Sequence, residues 1–279
     1  MYRIRPCSTS DRELINDLVI RQQYMLRHLD WRTPVEWLSH QPFLLLENAT
    51  SPLASLACIP EPQSVAWVRF FCSIAEVNRD LAWELLFENT IRILNGSPTT
   101  IVAALGLDEW IVNVLKKSGF KYHQEIIMME RNCENSFSYE NQKDFGIRLA
   151  EREDLPRIAE IDKQSFDPLW QNTLDGLTKA FTQASYFTVI SWNDLMIGYQ
   201  LSTSNLDTAH LARLAVLPEW QRKGIGQMLL MNMFEHYNSL GFSKITVNTQ
   251  NDNFASKRLY SKAGFVILEE SVPVLVYSL

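Results

Sequence analysis

An internal repeat is the feature that most constrains how this chain can fold. Residues 109–120 (EWIVNVLKKSGF) and residues 254–265 (FASKRLYSKAGF) each read as a short helix that closes in Lys-x-Gly-Phe before a strand. The elements predicted around these two segments follow the same order twice, β-αα-βββ-α-β-α-β. An internal duplication is the economical explanation of both observations. We therefore expect two copies of one mixed α/β scaffold.

The length and the distribution of polar residues fit that expectation. A chain of 279 residues suits two domains of ordinary size. Between the two copies, residues 132–144 are mostly polar and read as a linker. We expect a first domain over residues 1–131 and a second domain over residues 145–279.

The composition excludes several classes of partner. The net charge of −6 and the isoelectric point of about 5.5 do not suit a general nucleic-acid binder. No run is apolar for long enough to cross a membrane, and the first residues lack the apolar core of a signal peptide. We expect a cytoplasmic protein, monomeric or homodimeric, with neither a nucleic-acid nor a membrane partner.

The cysteine pattern supports neither a metal site nor a disulfide framework. Cys7, Cys58, Cys72 and Cys133 include no C-x-x-C pair, and none of them lies in the second half. Reduced thiols and no bound metal are therefore expected.

The predicted elements follow from apolar periodicity, capping residues and turn residues. Helices are predicted from Ser8 or Ser10 to about Leu26, and over residues 78–94, 108–118, 153–166, 173–183, 225–240 and 253–262. Strands are predicted over residues 2–5, 43–47, 53–59, 65–72, 100–104, 120–129, 145–149, 186–192, 196–203, 209–216, 244–249, 265–268 and 272–277.

One strand–turn–helix segment carries the strongest chemical signal. Residues 213–226 (RLAVLPEWQRKGIG) read as a buried strand, then a basic turn, then the start of an apolar helix. The free N–H groups and the dipole of a helix start favour an anion. Gly224 and Gly226 have no Cβ, so the backbone can approach a ligand closely, and Arg222 and Lys223 add positive charge. The segment predicts a phosphate or pyrophosphate site.

In this context, residues 145–279 resemble the GCN5-related N-acetyltransferase (GNAT) family. The resemblance rests on residues 214–218 (LAVLP), on the Q-x-x-G-x-G turn at residues 221–226, and on residues 253–265, which contain L-Y-x-x-x-G-F. It implies two tandem GNAT-like domains of mixed α/β (α+β) class, each a mostly antiparallel twisted sheet with helices on both faces. It also implies an enzyme that transfers an acetyl group from acetyl-CoA to a primary amine by direct attack.

The resemblance implies where acetyl-CoA would bind. The turn would hold the pyrophosphate, and the strand before it would offer backbone groups to the pantetheine arm. The strand over residues 244–249 would splay away and admit the thioester. The implied cofactor-binding residues are Leu214, Ala215, Val216, Gln221, Arg222, Lys223, Gly224, Ile225, Gly226 and Asn253, of which Asn253 can also be read as a helix cap only.

Acetyl transfer to an amine needs groups that move protons. An attacking amine with a pKa near 10.4 must lose a proton, and the departing thiolate can use one. Tyr260 stands where the family carries a general acid, with a packed aromatic whose hydroxyl finds a partner as the alternative, and the Val216 N–H is the expected donor to the oxyanion. His210 stands about where several family members carry a glutamate base; Asp207 is a second candidate, and a structural role for His210 stays open.

Two aromatic residues are candidates for the acceptor pocket. Phe166 and Trp170 lie between the two early helices of the second half, where the family often builds that pocket. Aromatic residues of this kind also fill protein cores, so a packing role is the alternative.

The first half keeps the scaffold but loses the chemical signals. After its strand over residues 65–72 comes SIAEVNRD, which has no glycine and places Glu76 where a pyrophosphate would lie. Leu115 takes the place of Tyr260. We predict a degenerate GNAT-like first domain without a cofactor site.

Three functions remain open at this point. The acceptor is a small-molecule amine in the first reading, and a peptide N-terminus, as for a ribosomal-protein acetyltransferase, in the second. The third is a non-catalytic acyl-CoA-binding module.

Overall fold

A computed structural model describes residues 2–28, 30–133 and 144–279. The chain divides into two compact units, Met1–His123 with Val272–Leu279, and Gln124–Ser271. This division differs from the predicted boundaries at residues 131 and 145, because the chain changes unit at residue 123 and returns to the first unit at residue 272. Most of the predicted linker lies outside the described residues.

The first unit is a mixed sheet with helices. Its elements are β1 (Arg3–Pro6), α1 (Arg12–Arg21), β2 (Gln22–Arg27), β3 (Phe43–Glu47), β4 (Pro52–Pro60), β5 (Val65–Ile74), α2 (Arg79–Leu94), β6 (Ile101–Leu105) and α3 (Glu109–Lys117). The strand order is β1-β3-β4-β5-β6, antiparallel except for β5 and β6. Strand β5 is buried along its whole length and forms the centre of the core.

The helix predicted from Ser8 or Ser10 to about Leu26 is wrong from residue 22 onward. Helix α1 ends at Arg21, and Gln22–Arg27 forms β2, antiparallel to β5. Leu14, Leu18 and Met25 have helical spacing, but pairing with the edge of a buried strand decides the conformation of residues 22–27.

The second unit is again mostly antiparallel. The remaining elements of the chain are β7 (Lys121–Asn132), β8 (Phe145–Leu149), α4 (Leu155–Ser165), α5 (Leu174–Gln183), β9 (Tyr186–Trp192), β10 (Leu195–Asn205), β11 (Thr208–Val216), α6 (Ile225–Ser239), β12 (Lys244–Gln250), α7 (Phe254–Lys262) and β13 (Val266–Ser278). The strand order in this unit is β7-β12-β11-β10-β9-β8, and only the β11–β12 pair is parallel. The expected fold class is thereby confirmed, whereas the two predicted closing strands form one strand, β13.

Each unit is completed by residues from the other half of the sequence. Strand β7 follows α3, yet its residues 126–132 pair with β12 in the second unit. Strand β13 follows α7, yet its residues 274–278 pair with β6 in the first unit. The duplicated scaffold therefore exchanges its last strands.

The repeat identified in the sequence has the same backbone geometry in both copies. Gly119 and Gly264 follow their helices with φ of 91° and 85°, in the left-handed region. The residue after each glycine donates its N–H to the carbonyl of Leu115 at 3.1 Å or of Tyr260 at 3.0 Å. Leu115 and Tyr260 are thus structural counterparts.

Separate apolar clusters stabilise the two units. In the second unit, α6 packs Leu230, Met233 and Tyr237 against Ile245 and Val247 of β12. Complete burial of such a side chain stabilises the fold by about 1.5–3 kcal/mol. This packing fixes α6, and with it the turn that precedes it.

Candidate active site

The sheet of the second unit opens between β11 and β12. Their parallel pairing runs from Thr208↔Lys244 to Leu211↔Val247, and no later pair joins them within the described residues. Strand β11 continues to Val216 beside β10, with Ala212 as the extra residue of a β-bulge. Backbone polar groups of β11 beyond Leu211 are therefore open to a ligand on the β12 side.

The turn after β11 presents free amides at the same place. Arg222 and Gly224 have φ of 60° and 83°, and Gly224 is the N-cap of α6. The first hydrogen bond of the helix runs from Met228 N to Gly224 O at 3.1 Å, so the N–H groups of residues 225–227 have no acceptor within the helix. A left-handed arginine is uncommon and marks a turn held in one specific conformation.

Gly226 also has a packing role. A Cβ atom built there would lie 3.1 Å from Cδ2 of Leu259 in α7, so the missing side chain lets α6 and α7 approach closely. The absence of a Cβ at residue 226 therefore serves helix packing in addition to the predicted access of a ligand to the backbone.

These features meet in one open cleft of about 700 Å³. Its lining residues are Ser165, Phe166, Leu214, Ala215, Val216, Gln221, Arg222, Gly224, Ile225, Gly226, Gln227, Asn253, Ala255, Ser256, Arg258, Leu259, Tyr260 and Lys262. Every predicted cofactor-binding residue except Lys223 lies in this set, as do Tyr260 and Phe166. The cleft thus brings most of the predicted site together.

Three predicted site residues do not line the cleft. The Lys223 ammonium lies 4.6 Å from the ring centroid of Trp220. The Trp170 carbonyl accepts a 2.6 Å hydrogen bond from Arg213. His210 lies where β11 and β12 are still paired, with Nδ1 2.9 Å from Thr246 Oγ1.

The role of His210 as a base therefore remains a prediction that this geometry does not favour. Burial lowers the pKa of His210 and favours its neutral form. The second candidate, Asp207, accepts a 2.7 Å hydrogen bond from Ser243 Oγ and also lies outside the cleft lining.

Tyr260 combines a buried ring with a position on the cleft. Its side chain is 5% exposed, and its ring packs 5.7 Å from that of Phe265. Burial raises the pKa of Tyr260, and the positive charge of Arg213 partly opposes this rise. The phenol is therefore protonated at neutral pH and can donate a proton.

Two polar side chains at the cleft shape the backbone around it. Gln221 Nε2 donates to the Val216 carbonyl at 3.0 Å and so ties the turn back to the end of β11. Asn253 is the N-cap of α7, because its Oδ1 accepts from Ser256 N at 3.0 Å. Asn253 is thus a helix cap that also lines the cleft.

A buried ion pair next to the cleft was not predicted from the sequence. Asp162 in α4 is 0% exposed, and Arg213 in β11 donates to it from Nε at 2.7 Å and from Nη2 at 2.9 Å. The available signal was a carboxylate on the apolar face of α4, four residues after Ile158. Its partner lies 51 residues away, so the pattern alone could not identify it.

In the first unit, a strand of the chain occupies the equivalent opening. Strands β5 and β6 pair only from Val65↔Ile101 to Trp67↔Ala103, and a bulge at Arg69 corresponds to that at Ala212. Beyond the bulge, β2 pairs with residues 70–74 of β5. The edge that is open in the second unit is thereby covered.

Other structural findings bear on the sequence expectations. All four cysteines are buried, free thiols. Over the described ranges, no helix combines the length and the apolar character that a membrane crossing requires. The same ranges hold no group of three or more His, Cys, Asp or Glu residues arranged for a metal ion.

Residues in the second unit are similar in sequence to known acetyltransferases. Residues 155–265 match the family model described as acetyltransferase (GNAT) family. The [ribosomal protein bS18]-alanine N-acetyltransferase of Escherichia coli (strain K12) is 26% identical over 121 residues, which is 43% of this chain and 79% of the relative.

Solved structures share the fold of the whole chain. A tandem GNAT protein from the clavulanic acid biosynthesis pathway has a TM-score of 0.64 at 11% identity, covering 100% of this chain and 98% of that one. A GCN5-related N-acetyltransferase from Sphaerobacter thermophilus has a TM-score of 0.61 at 14% identity, covering 99% and 95%. The fold over the full length is that of a tandem GNAT protein.

Proposed function

We propose that the second unit, whose residues 155–265 match the GNAT acetyltransferase family model, transfers an acetyl group from acetyl-CoA to a primary amine of a small molecule. The proposal rests on the cleft. It unites the open edge of β11, the free amides at the start of α6, and the Tyr260 side chain.

The cleft fits the successive parts of acetyl-CoA. The amides of residues 225–227 and the guanidinium of Arg222 suit the pyrophosphate, because helix starts and cations both favour an anion. The edge of β11 at Leu214–Val216 pairs with no strand on the β12 side and suits the amide groups of the pantetheine arm, although the Val216 carbonyl already accepts bonds from Gln221 and Ser165. When bound, acetyl-CoA supplies an activated thioester.

The residues of the chain account for the proton that the leaving group needs. The amine nitrogen forms a bond to the acetyl carbon, and the carbon–sulfur bond breaks. The Tyr260 hydroxyl donates its proton to the departing sulfur and is reprotonated from solvent. The backbone N–H of Val216 in β11 donates to the oxyanion. The amine loses its proton to water in the open cleft.

A second candidate for the acceptor is the N-terminus of a protein. The 26% identity to the alanine N-acetyltransferase that acts on ribosomal protein bS18 favours this class. We place small amines first because the net charge of −6 suits a small cationic acceptor. A non-catalytic acyl-CoA-binding module is the third reading.

A thiol-release assay over a panel of small amines and alanine-initiated peptides separates these readings. Turnover of amines alone supports the proposal, whereas turnover of peptides alone favours the second candidate. Acetyl-CoA binding without any thiol release favours the binding module.

Two charge-reversal variants at adjacent residues test the cofactor assignment. Arg222→Glu is expected to weaken acetyl-CoA binding about tenfold or more, because it reverses a charge that lines the cleft. Lys223→Glu makes the same change one residue later, outside the lining, and should change the Kd far less. Isothermal calorimetry measures both, and equal effects of the two variants would contradict the assignment.

A further inference from the structure

The buried ion pair of Asp162 and Arg213 has a more specific role than stability. Arg213 immediately precedes the cleft residue Leu214, and Asp162 lies near the end of α4. We infer that this pair positions the segment between α4 and α5, residues 166–173, and thereby determines recognition of the acceptor amine. We call this segment the acceptor wall. The inference rests on the proposed acetyl transfer.

The carboxylate of Asp162 is held from several directions. In addition to the two bonds from Arg213, it accepts one from the Tyr199 hydroxyl in β10 and one from Asn172 N at 2.7 Å. A carboxylate has about four acceptor positions, so this one is saturated. One side chain therefore joins α4, β10, β11 and the acceptor wall.

Arg213 makes the other half of the connection. Its Nη2 also donates to the Trp170 carbonyl at 2.6 Å, and its Cζ lies 3.4 Å from the ring centroid of Phe166. Both contacts are with the acceptor wall, and Phe166 lines the cleft. The position of this ring therefore depends on the guanidinium behind it.

Further bonds hold the acceptor wall and the residue that precedes it. Ser165 Oγ donates to the Val216 carbonyl at 3.2 Å, and Gln171 Nε2 donates to the Phe166 carbonyl at 2.9 Å. With its amide oriented to satisfy both neighbours, Gln124 accepts from the Trp170 ring N–H at 2.8 Å. The residue before the acceptor wall is thus tied to β11, and the wall itself is held by an internal bond and by a bond to β7.

The charge and the burial of Arg213 indicate that it positions the acceptor wall and does not contact a substrate directly. Burial alone would lower the pKa of Arg213, but Asp162 more than offsets this effect and raises it, so the guanidinium stays charged. Buried ion pairs contribute little net stability because of the desolvation that they require. Arg213 directs its donors to Asp162 and Trp170, so it acts on the cleft through Phe166.

The test uses Arg213→Lys, which keeps the positive charge opposite Asp162. One ammonium cannot reproduce the paired bonds to the carboxylate together with the bond to Trp170. The expected result is a rise in the KM of the amine of about tenfold, with kcat at saturating amine and the Kd of acetyl-CoA changed less than about twofold. Arg148→Lys is the matched control, because Arg148 forms an exposed ion pair with Asp154 in the same unit.

Tyr199→Phe provides a second, milder variant in case Arg213→Lys does not fold. It removes one donor to Asp162 and leaves the ion pair, so the amine KM should rise about threefold by the same measurement. An unchanged amine KM in a folded variant overturns the inference. An equal loss of acetyl-CoA affinity also overturns it, because the pair would then support the unit as a whole.

Hydrogen exchange keeps this test separate from that of the proposed function. If the wild type turns over no amine, the proposed function fails, but amide exchange still reports on the acceptor wall. Faster exchange at residues 166–173 in Arg213→Lys, with residues 222–227 unchanged, supports positioning. Unchanged exchange at residues 166–173 overturns it.

Discussion

In the proposed reaction, one hydroxyl group, that of Tyr260, donates the proton that the departing thiolate takes up. We expect Tyr260→Phe to lower kcat about a hundredfold near neutral pH, because the ring is kept and only the proton donor is lost. The Kd of acetyl-CoA should stay unchanged. Initial rates of thiol release measure the first quantity and calorimetry the second, and a variant as fast as the wild type would exclude Tyr260 as the acid.

The pH dependence of the same residue has a definite sign. Burial raises the pKa of Tyr260 above its ordinary value, so the acid stays protonated as the pH rises. The wild-type rate should therefore not fall through loss of this proton between pH 7 and about pH 10. A decline in this range that is absent from Tyr260→Phe would contradict the assignment.

Sequence patterns identified the cleft residues better than the residues behind them. The turn around Gly224 and the helix with Tyr260 have local signatures, because capping and left-handed glycines depend on near neighbours in sequence. The bond from Arg213 to Asp162 depends on two elements meeting in space. No local pattern carries that information, and the same limit applies to His210, whose position relative to the cleft follows from the register of β11 and β12.

At the scale of elements, strand β2 covers the edge of the first unit that corresponds to the open edge in the second. It pairs with residues 70–74 of β5, the counterpart of the open edge of β11. We expect calorimetry to give one acetyl-CoA per chain, because a pantetheine arm in the first unit would have to displace a paired strand. Two equivalents would contradict this expectation, and Arg222→Glu is the control that should remove the heat of the single site.

The elements also show where apolar periodicity and capping residues are sufficient to predict secondary structure and where they are not. Helix α2 and strands β3 and β9 were predicted nearly to the residue, since caps and turn residues bound them clearly. Strand β2 was predicted as helix, because only β5 makes it a strand. Strand β13 was predicted as two, because the polar residues near Glu270 resemble a turn.

At the scale of the whole molecule, the first unit depends on a strand that lies after the second unit in sequence. Removal of Val272–Leu279 should unfold the first unit, because β6 loses its antiparallel partner along residues 101–105 and keeps only its short parallel pairing with β5. It also removes the buried side chains of Val274 and Leu275, which contribute about 1.5–3 kcal/mol each. Thermal unfolding followed by circular dichroism measures the loss, and a deletion of Leu279 alone is the control. A shortened chain that melts like the full one would contradict this dependence.

The same exchange sets an order of events during protein synthesis. The ribosome completes residues 1–123 early, but it must add residues 124–271 before the strand that closes the first sheet exists. Until then, the nascent chain carries β6 with an unpaired edge, a surface that promotes aggregation. The half that is translated first can therefore complete its sheet only after the second half has been synthesised.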